Sequence, residues 1–387
     1  MKKYGFIRDE LEKREKECRR RFLRTVAPVS GSEVQVDGRR LLNFCSNDYL
    51  GLSKHPLLKE RALEFARLYG SGSTASRLIC GNYTAFDDVE KKLASLKSTE
   101  AALILNSGYQ ANASLLPALT DQDSLIFSDR LNHRSIIQGA MLSRCKIVVY
   151  DHNNINKLRQ LIKQCRDTYY SRILIVTESV FSVDGDLGDI DSLIELSEEF
   201  EALLIVDEAH ATGIMGPRGM GLTAGKKVDL TIGTFGKACG SFGAYVTCSE
   251  EMRDYLINCC PGFIYTTALP PFVVGSIDAA LELIPQMEKE RRDLLFNADY
   301  LRKSLHELGF DTGESSSHIV PVIIGDEEEA LSASAWLEEN SVFATALRPP
   351  TVEEGRSRIR LAVTALHPRQ DVDKVIDIFR RWKKRDA

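Results

Sequence analysis

Lys237 lies three residues past the apolar run Leu230–Thr234, within Thr234-Phe235-Gly236-Lys237-Ala238-Cys239-Gly240. A lysine held beyond a buried strand among small residues loses solvation, which disfavours the ammonium form and leaves a nucleophilic amine. The same letters fit a surface lysine in a flexible glycine turn, so this segment alone does not decide. Asp207 follows a second run, Ala202–Val206, and opens Asp207-Glu208-Ala209-His210. A carboxylate there can ligate magnesium, cap a turn or face a cationic ring nitrogen. The four letters also spell the box of DEAH-type helicases, but a nucleotide-driven motor needs a GxxxxGK loop followed by Ser or Thr. The only Gly-Lys steps, Gly225-Lys226 and Gly236-Lys237, are followed by Lys227 and Ala238, which excludes that motor.

A third run ends at Asn106 and gives way to Ser107, Gly108, Tyr109 and a helix-forming stretch. Such a turn presents backbone N–H groups and a helix N-terminus, which suits a phosphate, although it also serves as an ordinary strand-to-helix connection. His133 adds a flat ring able to stack on another. A phosphate turn, an acid at a strand end, a Thr/Lys pair at the next strand end and a stacking ring are the parts that pyridoxal phosphate needs. The lysine forms its Schiff base, and the acid keeps the pyridinium nitrogen protonated so that the ring accepts electrons.

These residues need a scaffold, and the chain is long enough to build one. It has 387 residues, 43% hydrophobic and 27% charged, which suits one large domain and a smaller one. A formal net charge of −5 gives no global attraction for nucleic acid or an anionic membrane. No apolar run approaches the ~20 residues that span a bilayer, and the stretch from Arg8 to Glu15 is too charged for a secretory signal. Nine cysteines without a CxxC pair argue against a disulfide framework or a zinc site, and no metal is expected; a reducing cytoplasm is the expected home.

Runs at Ala101–Asn106, Ser124–Ser128, Lys146–Tyr150, Arg172–Thr177, Ala202–Val206 and Leu230–Thr234 alternate with helical stretches such as Asn154–Cys165 and Ile190–Phe200. That rhythm predicts an α/β fold with a buried, mainly parallel central sheet and helices on both faces, Gly243–Cys248 adding a strand. In such sheets ligands gather at the carboxyl ends of the strands. Beyond Pro270–Pro271 the pattern predicts a long helix over Val273–Leu308, a strand at His318–Ile324, a helix at Glu328–Glu339, a strand at Ser357–Val363 and a closing helix at Val372–Trp382: a smaller C-terminal α+β domain. Residues 3–24 read as a charged amphipathic helix ending in the basic cluster Arg19, Arg20, Arg21 and Arg24. The expected division is an N-terminal helix and arm at 1–42, a large cofactor domain at 43–272 and the C-terminal domain at 273–387.

Six stretches carry a resemblance: SNDYLGL (Ser46–Leu52), YGSGSTASRL (Tyr69–Leu78), TESVFSVDGD (Thr177–Asp186), DEAHATG (Asp207–Gly213), TFGKACG (Thr234–Gly240) and IYTTALPP (Ile264–Pro271). With them the chain, from about Arg19 to its last helix, resembles the α-oxoamine synthases, fold-type I pyridoxal-phosphate-dependent transferases. LRPPTVEEGRSRIRLAVTALH (Leu347–His367) resembles the 8-amino-7-oxononanoate-forming branch of that family. The resemblance implies condensation of L-alanine with a pimeloyl thioester on the way to biotin, with release of CO2 and the thiol carrier. The carrier is pimeloyl-coenzyme A or a pimeloyl-acyl carrier protein, and the basic cluster Arg19–Arg24 suits either. The alternative within the family is a glycine C-acetyltransferase, which uses glycine and a short acyl-CoA.

The resemblance also implies roles. Lys237 carries the cofactor and then moves the substrate's α-proton, Asp207 faces the pyridine nitrogen, and His133 stacks on the ring beside the substrate. His210 and Ser179 lie around the ring oxygen. Ser107, Gly108, Tyr109 and Thr234 hold the phosphate side, and Thr267 reaches the phosphate of a neighbouring subunit, because family sites form at a homodimer interface. Arg19, Asn47, Thr351 and Arg360 contact substrate, Arg360 at the amino-acid carboxylate. Alternation with Ile359 and Leu361 puts Arg360 opposite the apolar side of its strand, but Arg358 shares that face and the sequence does not choose between them. One departure stands out: Thr74 and Ala75 occupy positions where the family often has two glycines, and side chains there narrow the acyl pocket.

Overall fold

A computed structural model describes residues 3–29, 31–165 and 168–385. It divides into two compact units: one of residues 47–182 and 187–291, the other of the described residues of 1–46, 183–186 and 292–387. The first unit is built on a seven-stranded sheet of β1 (Ala101–Leu105), β2 (Leu125–Asp129), β3 (Lys146–Tyr150), β4 (Ile173–Glu178), β5 (Leu203–Asp207), β6 (Leu230–Thr234) and β7 (Ala244–Cys248). Their order is β1-β7-β6-β5-β4-β2-β3. β6, β5, β4, β2 and β3 pair in parallel, whereas β7 pairs antiparallel with both β6 and β1.

The central strands are apolar on both faces because each face has its own core. Ile126, Leu174, Val176 and Ile205 pack with Leu115 and Leu116 of the helix Gly108–Leu119. Their neighbours Leu125, Phe127, Ile175, Leu204 and Val206 pack on the other face with Leu158, Ile162, Leu193 and Leu196 from the helices Ile155–Gln164 and Ile190–Phe200. Period-two alternation thus sends successive side chains into two separate cores. Among the described residues, no helix is long and apolar enough to cross a membrane.

The second unit holds a three-stranded antiparallel sheet of Ile319–Gly325, Ser357–Ala362 and Thr345–Leu347. It packs with the helices Glu288–Glu307, Glu327–Glu339 and Arg369–Lys383 through Ala298, Leu301, Leu337, Val375 and Phe379. Strands Val26–Pro28, Glu33–Val36 and Arg39–Asn43 form a second small sheet, to which Val342–Phe343 adds in parallel. Two helical expectations are corrected. The N-terminal helix runs only over Gly5–Lys16, because Cys18 takes a left-handed backbone conformation at φ 53. The expected helix over Val273–Leu308 is two helices, Pro271–Leu283 and Glu288–Glu307, parted by a short turn at Ile284–Gln286. Pro285 lacks the N–H that an unbroken helix would use.

His367 joins the pieces of this unit. Its ring stacks on Phe44 at 4.0 Å between centroids. Nε2 donates to the Asn43 carbonyl at 3.1 Å, and Nδ1 accepts from Thr364 N at 3.0 Å. Burial pushes its pKa down from 6.5 to about 4. A folded-state pKa below the unfolded value makes this stabilisation complete above the unfolded value near 6.5 and lost as pH falls toward about 4. At 1.36 kcal/mol per pKa unit, the group accounts for ~3 kcal/mol of acid sensitivity. Denaturant unfolding at pH 7 and pH 4 should show a smaller acid loss in His367→Gln, whose amide keeps a donor for Asn43 without taking up a proton. An equal loss in both proteins would remove His367 as the acid-sensitive group.

Candidate active site

β4, β5 and β6 end side by side, and each delivers a polar residue at its carboxyl end. Glu178 closes β4, Asp207 closes β5 and Thr234 closes β6, and Glu178 and Asp207 are register partners. A cavity of about 190 Å³ lies here, lined by Gly108, Tyr109, Asn112, His133, Ser135, Glu178, Asp207, Ala209, His210, Thr234 and Lys237. The sheet therefore gathers Lys237, Asp207, His133, His210, Thr234 and the Gly108–Tyr109 turn into one place.

Lys237 is half-buried, and its Nζ lies 2.6 Å from His210 Nε2. Asp207 is 6% exposed. Its Oδ2 accepts from Asn112 Nδ2 at 2.7 Å and its Oδ1 from Ala209 N at 2.8 Å, so the carboxylate is held from both ends. Asn112 Nδ2 also donates to Ser135 Oγ at 3.0 Å, and that hydroxyl lies 2.7 Å from His133 Nδ1. His133 caps the helix Arg134–Leu142 and keeps an open surface. Burial of its ring lowers the imidazole pKa below 6.5, Asp207 opposes that shift and Lys237 adds to it. Ser107 caps the helix Gly108–Leu119 by accepting from Gln110 N at 3.2 Å. A Cβ on Gly108 would come no nearer than 3.9 Å to Thr234 Cβ, so the turn is open toward Thr234. The Thr234 hydroxyl donates to Gly243 O at 2.9 Å and accepts from Gly236 N at 3.1 Å, which stiffens the turn carrying Lys237.

Sequence reasoning gave no role to Glu178, Asn112 or Ser135. Glu178 is 2% exposed and accepts from His133 N at 2.6 Å. Burial raises its pKa well above the usual 4.5, the neighbouring Asp207 carboxylate adds to the rise, and Lys237 opposes it. The site thus contains a carboxyl group whose neutral form is favoured, one strand away from Asp207. The only available signal was its place directly after an apolar run.

Other expected site residues lie outside this cavity lining. Ser179, one residue past Glu178, is fully buried, and its hydroxyl has no hydrogen-bond partner among the described residues. Asn47 is half-buried and its Oδ1 accepts from Tyr49 OH at 3.0 Å. Thr267 is exposed, and its carbonyl accepts from Asn106 Nδ2 at 2.7 Å. Thr74 is exposed at φ 54, a conformation that favours glycine and costs a β-branched residue ~1–3 kcal/mol. Arg19, Thr351 and Arg360 belong to the second unit. Arg19 pairs with Glu327 at 3.0 Å and Glu354 at 3.1 Å, and Thr351 Oγ1 accepts from Arg21 at 3.0 Å. The buried Arg358 is committed to Asp184 and, through Nε, to the Arg356 carbonyl at 2.9 Å. Arg360 is half-buried, and its charge acts on the Cys45 thiol.

The donor set fits pyridoxal phosphate. An amine, a firmly held carboxylate on the adjacent strand, an open helix N-terminus and an exposed imidazole face one cavity. The buried Ser179 hydroxyl and Asn112 Oδ1 have polar capacity that no described protein group meets; a polar ligand offers partners for such atoms.

The chain is similar to proteins of one family. Residues 39–379 match the family model for aminotransferase class I and II. A putative 8-amino-7-oxononanoate synthase from Desulfosudis oleivorans is 59% identical over 99% of this chain and 100% of its own length. An 8-amino-7-oxononanoate synthase from Gluconacetobacter diazotrophicus is 47% identical over 92% of each chain. Among solved structures, SPT with its PLP internal aldimine superposes with a TM-score of 0.91 at 25% identity, covering 99% of this chain and 98% of that one.

Proposed function

The chain belongs to the aminotransferase class I and II family, and from that premise we propose that it is a pyridoxal-phosphate-dependent acyltransferase. It condenses L-alanine with a pimeloyl thioester to give 8-amino-7-oxononanoate, the product that names its relatives. The observation that carries this reading is the convergence of Lys237, Asp207 and His133 on one cavity.

Bound pyridoxal phosphate supplies the electron sink for the pair left behind by the α-proton and, later, by CO2. The chain's own groups do the rest. Lys237 would hold the cofactor, and its amine takes the alanine α-proton and later returns a proton to that carbon. Asp207 accepts the hydrogen bond of the ring nitrogen and keeps it protonated. His133 covers the ring face, and the Ser107–Tyr109 turn and Thr234 receive the phosphate. His210 and Ser179 are assigned to the ring-oxygen side, and Arg19, Asn47 and Thr351 to the substrates. Arg360 is assigned to the alanine carboxylate, a choice supported by its half-buried position on a strand where Arg358 is buried.

We assign the active form to a homodimer in which Thr267 reaches the neighbouring subunit's phosphate. Leu78, Ile79, Phe242 and Tyr265, at 49%, 79%, 56% and 84% exposure, leave large apolar side chains at the surface for a partner to cover. The test is mass analysis of the product from alanine or glycine with pimeloyl-coenzyme A or pimeloyl-acyl carrier protein, with sedimentation at the assay concentration. Alanine with one of the pimeloyl carriers should give 8-amino-7-oxononanoate from a dimer. A product formed only from glycine and a short acyl-CoA would overturn the reading.

A further inference from the structure

Tyr49 has no part in the roles assigned above, yet its hydroxyl touches the site. The side chain is fully buried. Its OH lies 2.7 Å from His210 Nδ1 and donates to Asn47 Oδ1 at 3.0 Å. On the far side of the imidazole, Nε2 lies 2.6 Å from Lys237 Nζ. A phenol has one proton to give. With that proton on the bond to Asn47, the phenol oxygen meets His210 as an acceptor. The hydrogen of the neutral ring then belongs on Nδ1, and the lone pair on Nε2 points at Lys237.

The backbone makes this row rigid. Tyr49 N donates to Asn47 O at 2.9 Å, and the Asp48 carboxylate accepts from Ser53 Oγ at 2.6 Å, so the 47–53 turn is tied to itself. Gly240, at φ +62, approaches that turn so closely that a Cβ would lie 2.3 Å from Ser53 N. Gly213, at φ +92, also approaches the lysine turn closely, where a Cβ would lie 2.4 Å from Ala238 Cβ. The turn carrying Lys237 is thus packed against both the turn carrying Tyr49 and the turn following His210.

We propose that Tyr49 is a positioning residue that fixes His210 in its Nδ1–H tautomer and so makes His210 Nε2 the proton acceptor for Lys237. The inference rests on the role assigned to Lys237 above. In the step, an N–H bond of the Lys237 ammonium breaks and its proton passes to Nε2, while the electron pair stays on Nζ. Nδ1–H remains bonded to the Tyr49 oxygen, so the resulting imidazolium keeps a partner there. The other titratable groups lining the cavity are Tyr109, His133, Glu178 and Asp207; the negative charge of Asp207 favours the imidazolium.

The test is two-bond nitrogen–proton NMR on full-length protein labelled with ¹⁵N-histidine, stripped of and loaded with pyridoxal phosphate. There are seven histidines, and His210→Asn identifies the signals of interest. His210 should appear as the Nδ1–H tautomer. Asn47→Ala should release the phenol proton to His210 Nδ1 and switch the ring to Nε2–H, and Tyr49→Phe should abolish the Nδ1–H preference. In both variants alanine α-proton exchange should slow about 10- to 100-fold, a part of the 10²–10⁴ that positioned proton transfer contributes. The acid limb of its pH profile should move to higher pH, because Lys237 must then lose its proton to water. Retention of the Nδ1–H tautomer in Asn47→Ala, with an unmoved acid limb, overturns the proposal. Should Tyr49→Phe fail to fold, Asn47→Ala, which alters a half-buried residue, decides alone. The tautomer readout uses no substrate, so it fails or succeeds separately from the reaction assigned to the site.

Discussion

Lys237→Ala is expected to abolish turnover while the protein still binds pyridoxal phosphate. The two effects separate because the lysine is one of several attachments. The turn at Ser107–Tyr109, Asp207 and His133 remain, and the Thr234 bonds to Gly243 O and Gly236 N do not depend on the lysine side chain. What disappears is the group that takes and returns the proton at alanine Cα. Positioned proton transfer alone is worth roughly 10²–10⁴-fold, and loss of the covalent anchor adds to this. Borohydride treatment of the native protein followed by peptide mapping checks the assignment directly, since the label should appear on Lys237. Labelling of another lysine, or measurable turnover by the alanine variant, would remove Lys237 from its role.

Asp207→Asn should damage chemistry far more than cofactor binding. An amide cannot hold the ring nitrogen protonated, and it also fits its surroundings badly. Both carboxylate oxygens accept, one from Asn112 Nδ2 and the other from Ala209 N. An asparagine must turn its NH2 toward one of these donors and lose that bond. Breaking a charge-assisted contact of this kind in a dry site costs ~2–5 kcal/mol, which is roughly 30- to several-thousand-fold at 1.4 kcal/mol per factor of ten. Deuterium exchange at alanine Cα, followed without any thioester, measures the loss at the first proton transfer. An exchange rate equal to that of the native protein would show that Asp207 has no such role.

The central sheet was legible because its strands had to be apolar on both faces. Lys146–Tyr150 and Leu230–Thr234 have the bounds read from the sequence, and the other runs moved by a residue at one or both ends. The strands at 26–43 escaped notice because they are short and partly exposed; Val26–Pro28 is exposed throughout. Pro285 did signal a break in the long helix, but the flanking apolar pattern continues through it and masked the stop. In the candidate site, residues that end strands were visible as polar punctuation after apolar runs. Glu178 occupied the same kind of place, but its weight comes from pairing with Asp207 across neighbouring strands, a contact between distant segments. Asn112 and Tyr49 act through partners that only the folded chain brings near. For Arg358 and Arg360 the alternation of the strand was readable, whereas the burial of Arg358 against Asp184 was not.

The division of the chain into units sets an order for its assembly. The unit with the seven-stranded sheet runs from residue 47 to 291, interrupted only by 183–186 of the other unit, and is complete once residue 291 has been made. The other unit is not, because its first segment finds its neighbours in its last: Leu42 pairs with Val342, and Ser32 Oγ bonds Asp371 across 339 positions of sequence. During synthesis, at ~5–20 residues per second, the first 46 residues leave the ribosome early and lack these partners until the last hundred follow. Contacts at such separation form late and slowly. A chain stalled or cut near residue 291 would carry the lysine, the aspartate and the whole described cavity lining in a formed sheet, with its leading segment lacking the partners Val342 and Asp371 and open to proteases.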